Sequence, residues 1–164
     1  MSEILYTAKY LRACAAAYLR YRRRCPLISF ERGGWHWERP DVLALTSDRH
    51  WLELEIKTDI ADLRRDKSKR KWKLNWTARL FYYLVPPDLE EKARAELGPG
   101  QGLIGLDQNK PKSYGLHRLK VLVKAKAEKE APRATLREIV AAVKDQSGTL
   151  CGLAREIAEL ERGG

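Results

Sequence analysis

The sequence predicts an α/β fold of the mixed α+β kind, with a central mixed β-sheet flanked by helices. Three observations carry this. Ser2 to Arg24 is Ala-rich and contains no Gly or Pro, as a long helix requires. Between Leu27 and Lys57, three short apolar runs follow one another, separated by turn residues. Beyond Lys57, helical and strand-like patterns alternate, an order that builds parallel strand pairs. The 164 residues suit one domain, 1–164, with a basic N-terminal helix and a C-terminal helical extension.

The first helix can be capped by Ser2, with Glu3 in its first turn. Leu5, Ala8, Leu11, Ala15 and Tyr18 recur at helical spacing and form its core stripe. Its end is basic, Arg20-Tyr21-Arg22-Arg23-Arg24, and Cys25-Pro26 stops it because the residue before a proline is pushed out of helical geometry. The first strand is Leu27 to Glu31. A Gly33-Gly34 turn and the segment Trp35-His36-Trp37 lead to the second, Asp41 to Leu45. Thr46-Ser47-Asp48-Arg49 turns the chain into the third, Trp51 to Lys57, since Ser and Asp side chains bond their own backbone.

Thr58 can cap the next helix, whose first turn holds Asp59 and Asp62 and which runs into the basic stretch Lys67 to Lys73. Arg79 to Val85 is an aromatic-rich strand closed by Pro86-Pro87. Asp88 to Leu97 is a short helix stopped by Gly98-Pro99-Gly100, and Gly102 to Leu106 is a further strand. His117 to Lys126 alternates, with His117, Leu119, Val121, Val123 and Ala125 on one face and Leu122 interrupting the other. Two helices, Thr135 to Lys144 and Thr149 to Glu161, complete the chain.

Charge narrows the partners. Lys and Arg outnumber Asp and Glu by 32 to 22, a formal charge of +10, in a chain that is 33% charged and 44% apolar. That balance favours a polyanionic partner, whether nucleic acid, an acidic membrane surface or an acidic protein, and for a nucleic acid Arg22, Arg23, Lys67, Lys69, Arg70, Lys71, Lys73, Arg118 and Lys120 are the candidate phosphate contacts. Cys14, Cys25 and Cys151 form no CxxC pair, which argues against zinc or a disulfide framework and for a reducing, cytoplasmic setting. The most apolar stretch, Leu11 to Leu19, is short and contains Arg12, so no membrane association is expected. The oligomeric state stays open, a homodimer included.

The chemistry concentrates on the third strand. Residues two apart point the same way, so Trp51, Glu53, Glu55 and Lys57 share one face while Leu52, Leu54 and Ile56 share the other. A row of carboxylates on a half-buried face repels itself unless something cationic holds it. A divalent cation on Glu55 and on an acid of the neighbouring strand, Asp41, would do so. Mg²⁺, or Mn²⁺, suits an oxygen-only donor set and would activate water for phosphodiester hydrolysis. Lys57 can then orient the nucleophile or hold a phosphate oxygen. Acid-x-Lys alone is a weak signal, and Glu90-Glu91-Lys92 matches it too. Only Glu55-Ile56-Lys57 ends an alternating strand and follows Pro40-Asp41 at a hairpin's distance.

Arg39-Pro40-Asp41 followed by Glu55-Ile56-Lys57 resembles the signature of the PD-(D/E)XK nuclease superfamily, whose fold is restriction-endonuclease-like. The surrounding text is similar to the MmcB-like DNA repair branch in Asp41 to Leu45, Trp51 to Thr58, Asp62 to Asp66, Arg79 to Tyr82 with Pro86-Pro87, Gly102 to Ile104 and Ala131-Pro132. The resemblance covers roughly Leu27 to Pro132. It implies that Asp41 and Glu55 are metal ligands and catalytic, that Lys57 is the catalytic lysine, and that Glu31 is a further metal-ligand candidate. It implies a Mg²⁺-dependent nuclease acting on DNA in repair, recombination or mobile-element biology. Lys71-Trp72 stands later after the helical acids than the branch usually has it, and no Gln-x-x-x-Tyr helix of the RecB-like branch is present.

Plainer readings stand beside these. Glu55 and Lys57 fit an ordinary solvated strand face, and Glu53 reads as a surface residue or as a support beside the ligands rather than as a ligand. Asp62 and Asp66 read as helix-surface acids balancing Arg65, Lys69 and Arg70. Trp72 and Trp76 fit a core, Trp35 and Trp37 fit base stacking from a loop, and His36, His50 and His117 show no ligand spacing. The alternative function is a non-catalytic nucleic-acid-binding module on the same fold. A basic adaptor for an acidic protein is a third reading.

Overall fold

In the computed structural model, residues 6–30, 40–70 and 78–148 are described, with the backbone alone at 67–70. Six strands form one sheet in sequence order: β1 (Leu27–Phe30), β2 (Val42–Leu45), β3 (Trp51–Ile56), β4 (Leu80–Leu84), β5 (Gly102–Asp107) and β6 (Arg118–Val123). The first three make an antiparallel meander. The links β3–β4 and β4–β5 are parallel, and β6 returns antiparallel to β5. Parallel neighbours need a crossover. Helix α2 (Ile60–Arg70) lies in the first crossover, and a 3₁₀ turn (Pro87–Leu89) with α3 (Glu90–Glu96) makes the second. The sheet is therefore mixed and flanked by helices, as expected.

Strand alternation divides the core. Val42, Ala44, Leu52, Leu54, Ile56, Tyr82, Leu84 and Ile104 face α1 (Ala8–Ala17), whose Leu11, Cys14 and Ala15 are buried against them. The opposite face holds two separate apolar clusters. One joins Trp51, Leu43 and Leu45 to Ala142, on the helical stretch 136–148, here called α4. The other joins Tyr83, Val85 and Leu103 to Leu63 of α2 and Ala93 of α3. Glu53, Glu55 and Lys57 share that face.

Several local expectations change. The described part of α1 opens at Ala8, with Thr7 Oγ1 accepting from the Tyr10 amide at 3.1 Å; Ser2, Glu3 and Leu5 lie outside the described residues. Ala8 is exposed, and Cys14 and Leu19 take its expected place in the buried stripe. The helix ends in a π turn, Tyr18–Arg22, closed by the Arg23 amide on the Tyr18 carbonyl, and Arg24 adopts φ 54°. Asp59, not Thr58, caps α2: its Oδ1 accepts from the Ala61 amide at 3.1 Å. In β6 the alternation breaks at an irregularity opposite Leu103 and Ile104. Val121 turns outward while Leu122 and Val123 both pack on the α2–α3 side, because a bulged residue shifts the pleat by one. Thr135 and Glu138 form a reciprocal capping box before α4. The expected helix from Thr149 lies outside the described residues. No helix among the described residues is long and apolar enough to cross a membrane.

Candidate active site

Antiparallel register pairs Val42 with Leu54, which sets Asp41 opposite Glu55 at one end of the sheet. Parallel register pairs Glu55 with Tyr83 on the other side. The Lys57 amide still bonds the Leu84 carbonyl at 3.0 Å, so the backbone holds Lys57 at the carboxyl ends of β3 and β4. This is where the antiparallel meander gives way to the parallel strands β3, β4 and β5. Asp41, Glu55 and Lys57 meet here, between central strands and not at the lateral edge of the sheet.

The contacts are specific. The Ile56 amide donates to Asp41 Oδ2 at 2.8 Å. Lys57 Nζ lies 3.6 Å from Glu55 Oε2, 3.3 Å from Asp62 Oδ2 and 3.8 Å from Asp66 Oδ1. The Tyr83 hydroxyl donates to Asp66 Oδ2 at 2.8 Å. Glu53, Glu55 and Lys57 are 3%, 8% and 7% exposed, which rules out a solvated strand face and a surface place for Glu53. A central strand covered on both sides leaves no such face. Burial alone would pull the Lys57 ammonium towards neutrality. The carboxylates of Asp66, Glu55, Asp62 and Asp41 outweigh it and hold Lys57 above its ordinary value.

Asp62 and Asp66 thus differ from the sequence reading. Asp62 does pair with Arg65, at 3.4 Å, but both acids of α2 also turn towards Lys57. The signal was their i, i+4 spacing just after an acid-x-Lys strand, which places both on one helix face. Tyr83 carried no signal beyond aromatic alternation in β4.

Glu31, Lys71 and Lys73 lie outside the described residues, as do Trp35, Trp37, Trp72 and Trp76. Lys67, Lys69 and Arg70 belong to the backbone of α2. Arg118 opens β6, exposed, at the same end of the sheet as Lys57, and Lys120 Nζ is 3.9 Å from Glu90 Oε2. Arg22 and Arg23 are exposed but precede β1, at the opposite end, where Arg20 Nη1 bonds the Pro26 carbonyl at 3.1 Å. Among the described residues, Arg22 and Arg23 therefore lie apart from Arg118 and the acids. His50 and His117 serve local packing: Arg79 Nη1 lies 3.1 Å from His50 Nδ1, and the Tyr10 hydroxyl lies 2.6 Å from His117 Nδ1.

A hard divalent cation can be tested against this donor set. Among the described residues, the carboxylates of Asp66, Glu55, Asp62 and Asp41 act on the one ammonium of Lys57. No group of three His, Cys, Asp or Glu able to hold a metal occurs among the described residues. Mg²⁺ is usually held by one or two carboxylates, its remaining positions going to water and substrate phosphate. Asp41 and Glu55, set opposite each other across β2 and β3, are the two carboxylates that could hold such an ion; Glu31 lies outside the described residues.

No family model and no curated protein matches the sequence. The chain is similar in structure to a protein of unknown function from Silicibacter pomeroyi, with a TM-score of 0.63, 17% sequence identity, and coverage of 97% of this chain and 96% of that one. At this identity the likeness concerns the fold alone.

Proposed function

We propose that this chain is a metal-dependent nuclease that hydrolyses DNA phosphodiester bonds. The observation that carries the reading is the placement of the Lys57 ammonium 3.6 Å from Glu55, with Asp41 set opposite Glu55 across β2 and β3. Asp41 at the start of β2 and Glu55 and Lys57 at the end of β3 lie at one end of the sheet, as the resemblance requires of its acid, acid and lysine. The basic excess of the chain adds an attraction for the substrate's phosphates.

Asp41 and Glu55 would hold Mg²⁺ or Mn²⁺, which when bound lowers the pKa of its water and polarises the phosphate. The Ile56 amide keeps the Asp41 carboxylate from swinging away. Lys57 stays cationic and can donate to the attacking oxygen or to a phosphate oxygen as negative charge develops. Arg118, exposed at the same sheet end, would meet a neighbouring phosphate.

The test is cleavage by the purified chain of duplex, single-stranded and branched DNA with Mg²⁺, with Mn²⁺ and with EDTA. Cleavage that needs the metal and is lost in Glu55→Gln supports the reading. Salt-sensitive DNA binding with no cleavage of any substrate would replace it with the binding-module reading.

A further inference from the structure

Tyr83 has no solvent exposure, and its ring packs edge-on against Phe81, with centroids 4.8 Å apart at 88°. A phenol at such a place needs a hydrogen-bond partner. It finds one in Asp66 Oδ2, at 2.8 Å, while the other oxygen of the same carboxylate lies 3.8 Å from Lys57 Nζ. Asp66 thus bridges an immobile donor in β4 and a flexible ammonium beyond β3. Its side chain is only 14% exposed, unlike that of Asp62 at 47%. Leu63, wholly buried beside Tyr83, fixes this turn of α2 on the sheet. Asp62, one turn earlier, approaches the ammonium to 3.3 Å.

We propose that Asp66 and Tyr83 are positioning residues for Lys57: the phenol fixes the carboxylate, and the carboxylate holds the ammonium over Glu55. The proposal rests on the nuclease reading for its catalytic meaning. A lysine side chain has four rotatable bonds and many rotamers. Glu55 alone draws the ammonium back along its own strand. Asp66 and Asp62 pull from α2, on the other side, and the opposed contacts define one position. Asp41 and Glu55 remain the candidate ion ligands, and Asp66 acts only through Lys57.

The experiment uses the full chain and two readouts. One is steady-state cleavage of its best DNA substrate with Mg²⁺. The other is the ¹⁵N-correlated ammonium resonance of Lys57, assigned by its loss in Lys57→Met. Asp66→Asn keeps an oxygen for the Tyr83 hydroxyl but removes the charge facing Lys57. Tyr83→Phe keeps the charge but removes its anchor. Each should lower kcat about 10–100-fold, the range seen when a residue orienting a reactive group is lost. KM for DNA and the half-saturating Mg²⁺ concentration should stay unchanged, and the ammonium resonance should broaden. Asp66→Glu, which restores the charge, should recover part of kcat.

A merely structural role would make Asp66→Asn silent in kcat, because it retains the Tyr83 hydrogen bond. Unchanged kcat together with an unchanged ammonium resonance in both variants overturns the proposal. If the wild-type chain cleaves nothing, the nuclease reading fails, and the resonance still decides whether Asp66 and Tyr83 hold Lys57.

Discussion

Asp41 Oδ2 accepts the Ile56 amide at 2.8 Å, so the carboxylate that opens β2 is tied to the backbone between Glu55 and Lys57. The tie has two consequences that substitution separates. Asp41→Asn keeps an acceptor for the amide but loses the charge. It should abolish Mg²⁺ binding in calorimetry with little loss of stability. Asp41→Ala loses both, and should cost a further 1–3 kcal/mol or so in urea unfolding, as expected when a buried amide is left without its acceptor. Equal stability of the two variants would show that the Ile56 contact is incidental.

Lys57→Ala should lower cleavage by about 10²–10³, the usual effect of losing one preorganised donor. Its Mg²⁺ response should grow, not shrink. Without the ammonium, Asp41, Glu55, Asp62 and Asp66 face one another uncompensated. The thermal midpoint in EDTA should fall below that of the wild type, and added Mg²⁺ should raise it more than it raises the wild-type midpoint. A wild-type cleavage rate in Lys57→Ala removes the lysine from the chemistry.

Binding to duplex DNA should weaken steeply with salt. If the basic segments meet about five phosphates, the log–log slope should be roughly −4 to −5. Because Arg22 and Arg23 lie at the sheet end remote from Lys57, their replacement by Ala should reduce the slope less than replacement of Arg118 and Lys120. A larger effect of Arg22 and Arg23 would mean that DNA runs along the sheet and not across its Lys57 end.

Gly102→Ala should destabilise the fold by about 1–3 kcal/mol through overpacking. A methyl group there meets the Tyr82 ring and comes within 2.7 Å of the Ala125 amide nitrogen. The ring can swing, but the backbone of Ala125 must shift. A urea midpoint equal to wild type would show that it does so freely.

The contact between α1 and the start of β6 should loosen in acid. The Tyr10 hydroxyl lies 2.6 Å from His117 Nδ1 and accepts the His117 amide at 3.1 Å. Burial, then the nearby charge of Lys112, pushes His117 below its ordinary value of 6.5. The neutral ring is favoured in the folded state, so its stabilisation is full above that ordinary value and is lost as pH falls through the lower folded value. The stability advantage of wild type over His117→Asn should therefore shrink between about pH 7.5 and pH 5. A constant difference would mean that His117 does not titrate in this window.

Strand alternation, turn chemistry and the placement of helices are local properties of the chain, and the sequence by itself determined them here. Leu52, Leu54 and Ile56 announced one buried face of β3, and Glu53, Glu55 and Lys57 the other, because a period of two is set by backbone geometry alone. The sequence also marked Asp41 as the partner of Glu55, since a short hairpin leaves few registers. Element ends and caps shifted by a few residues, as with Asp59 in place of Thr58, because adjacent side-chain oxygens, hydroxyl or carboxylate, compete for the same amides.

Only the tertiary structure decided what each charge faces. Their i, i+4 spacing puts Asp62 and Asp66 on one face of α2, but that this face turns to Lys57 follows from the packing of Leu63 against Tyr83 after a parallel crossover. Nothing local separates Arg22 and Arg23 from Arg118, yet the return of the chain into β1 sends the first pair to the far end of the sheet. The bulge in β6 moved Val123 to the side of Leu122 in the same way. Periodicity fixes which side of its own element a residue occupies. Which residue of another element it meets depends on crossovers, register and packing between distant segments, and these exist only in the folded chain.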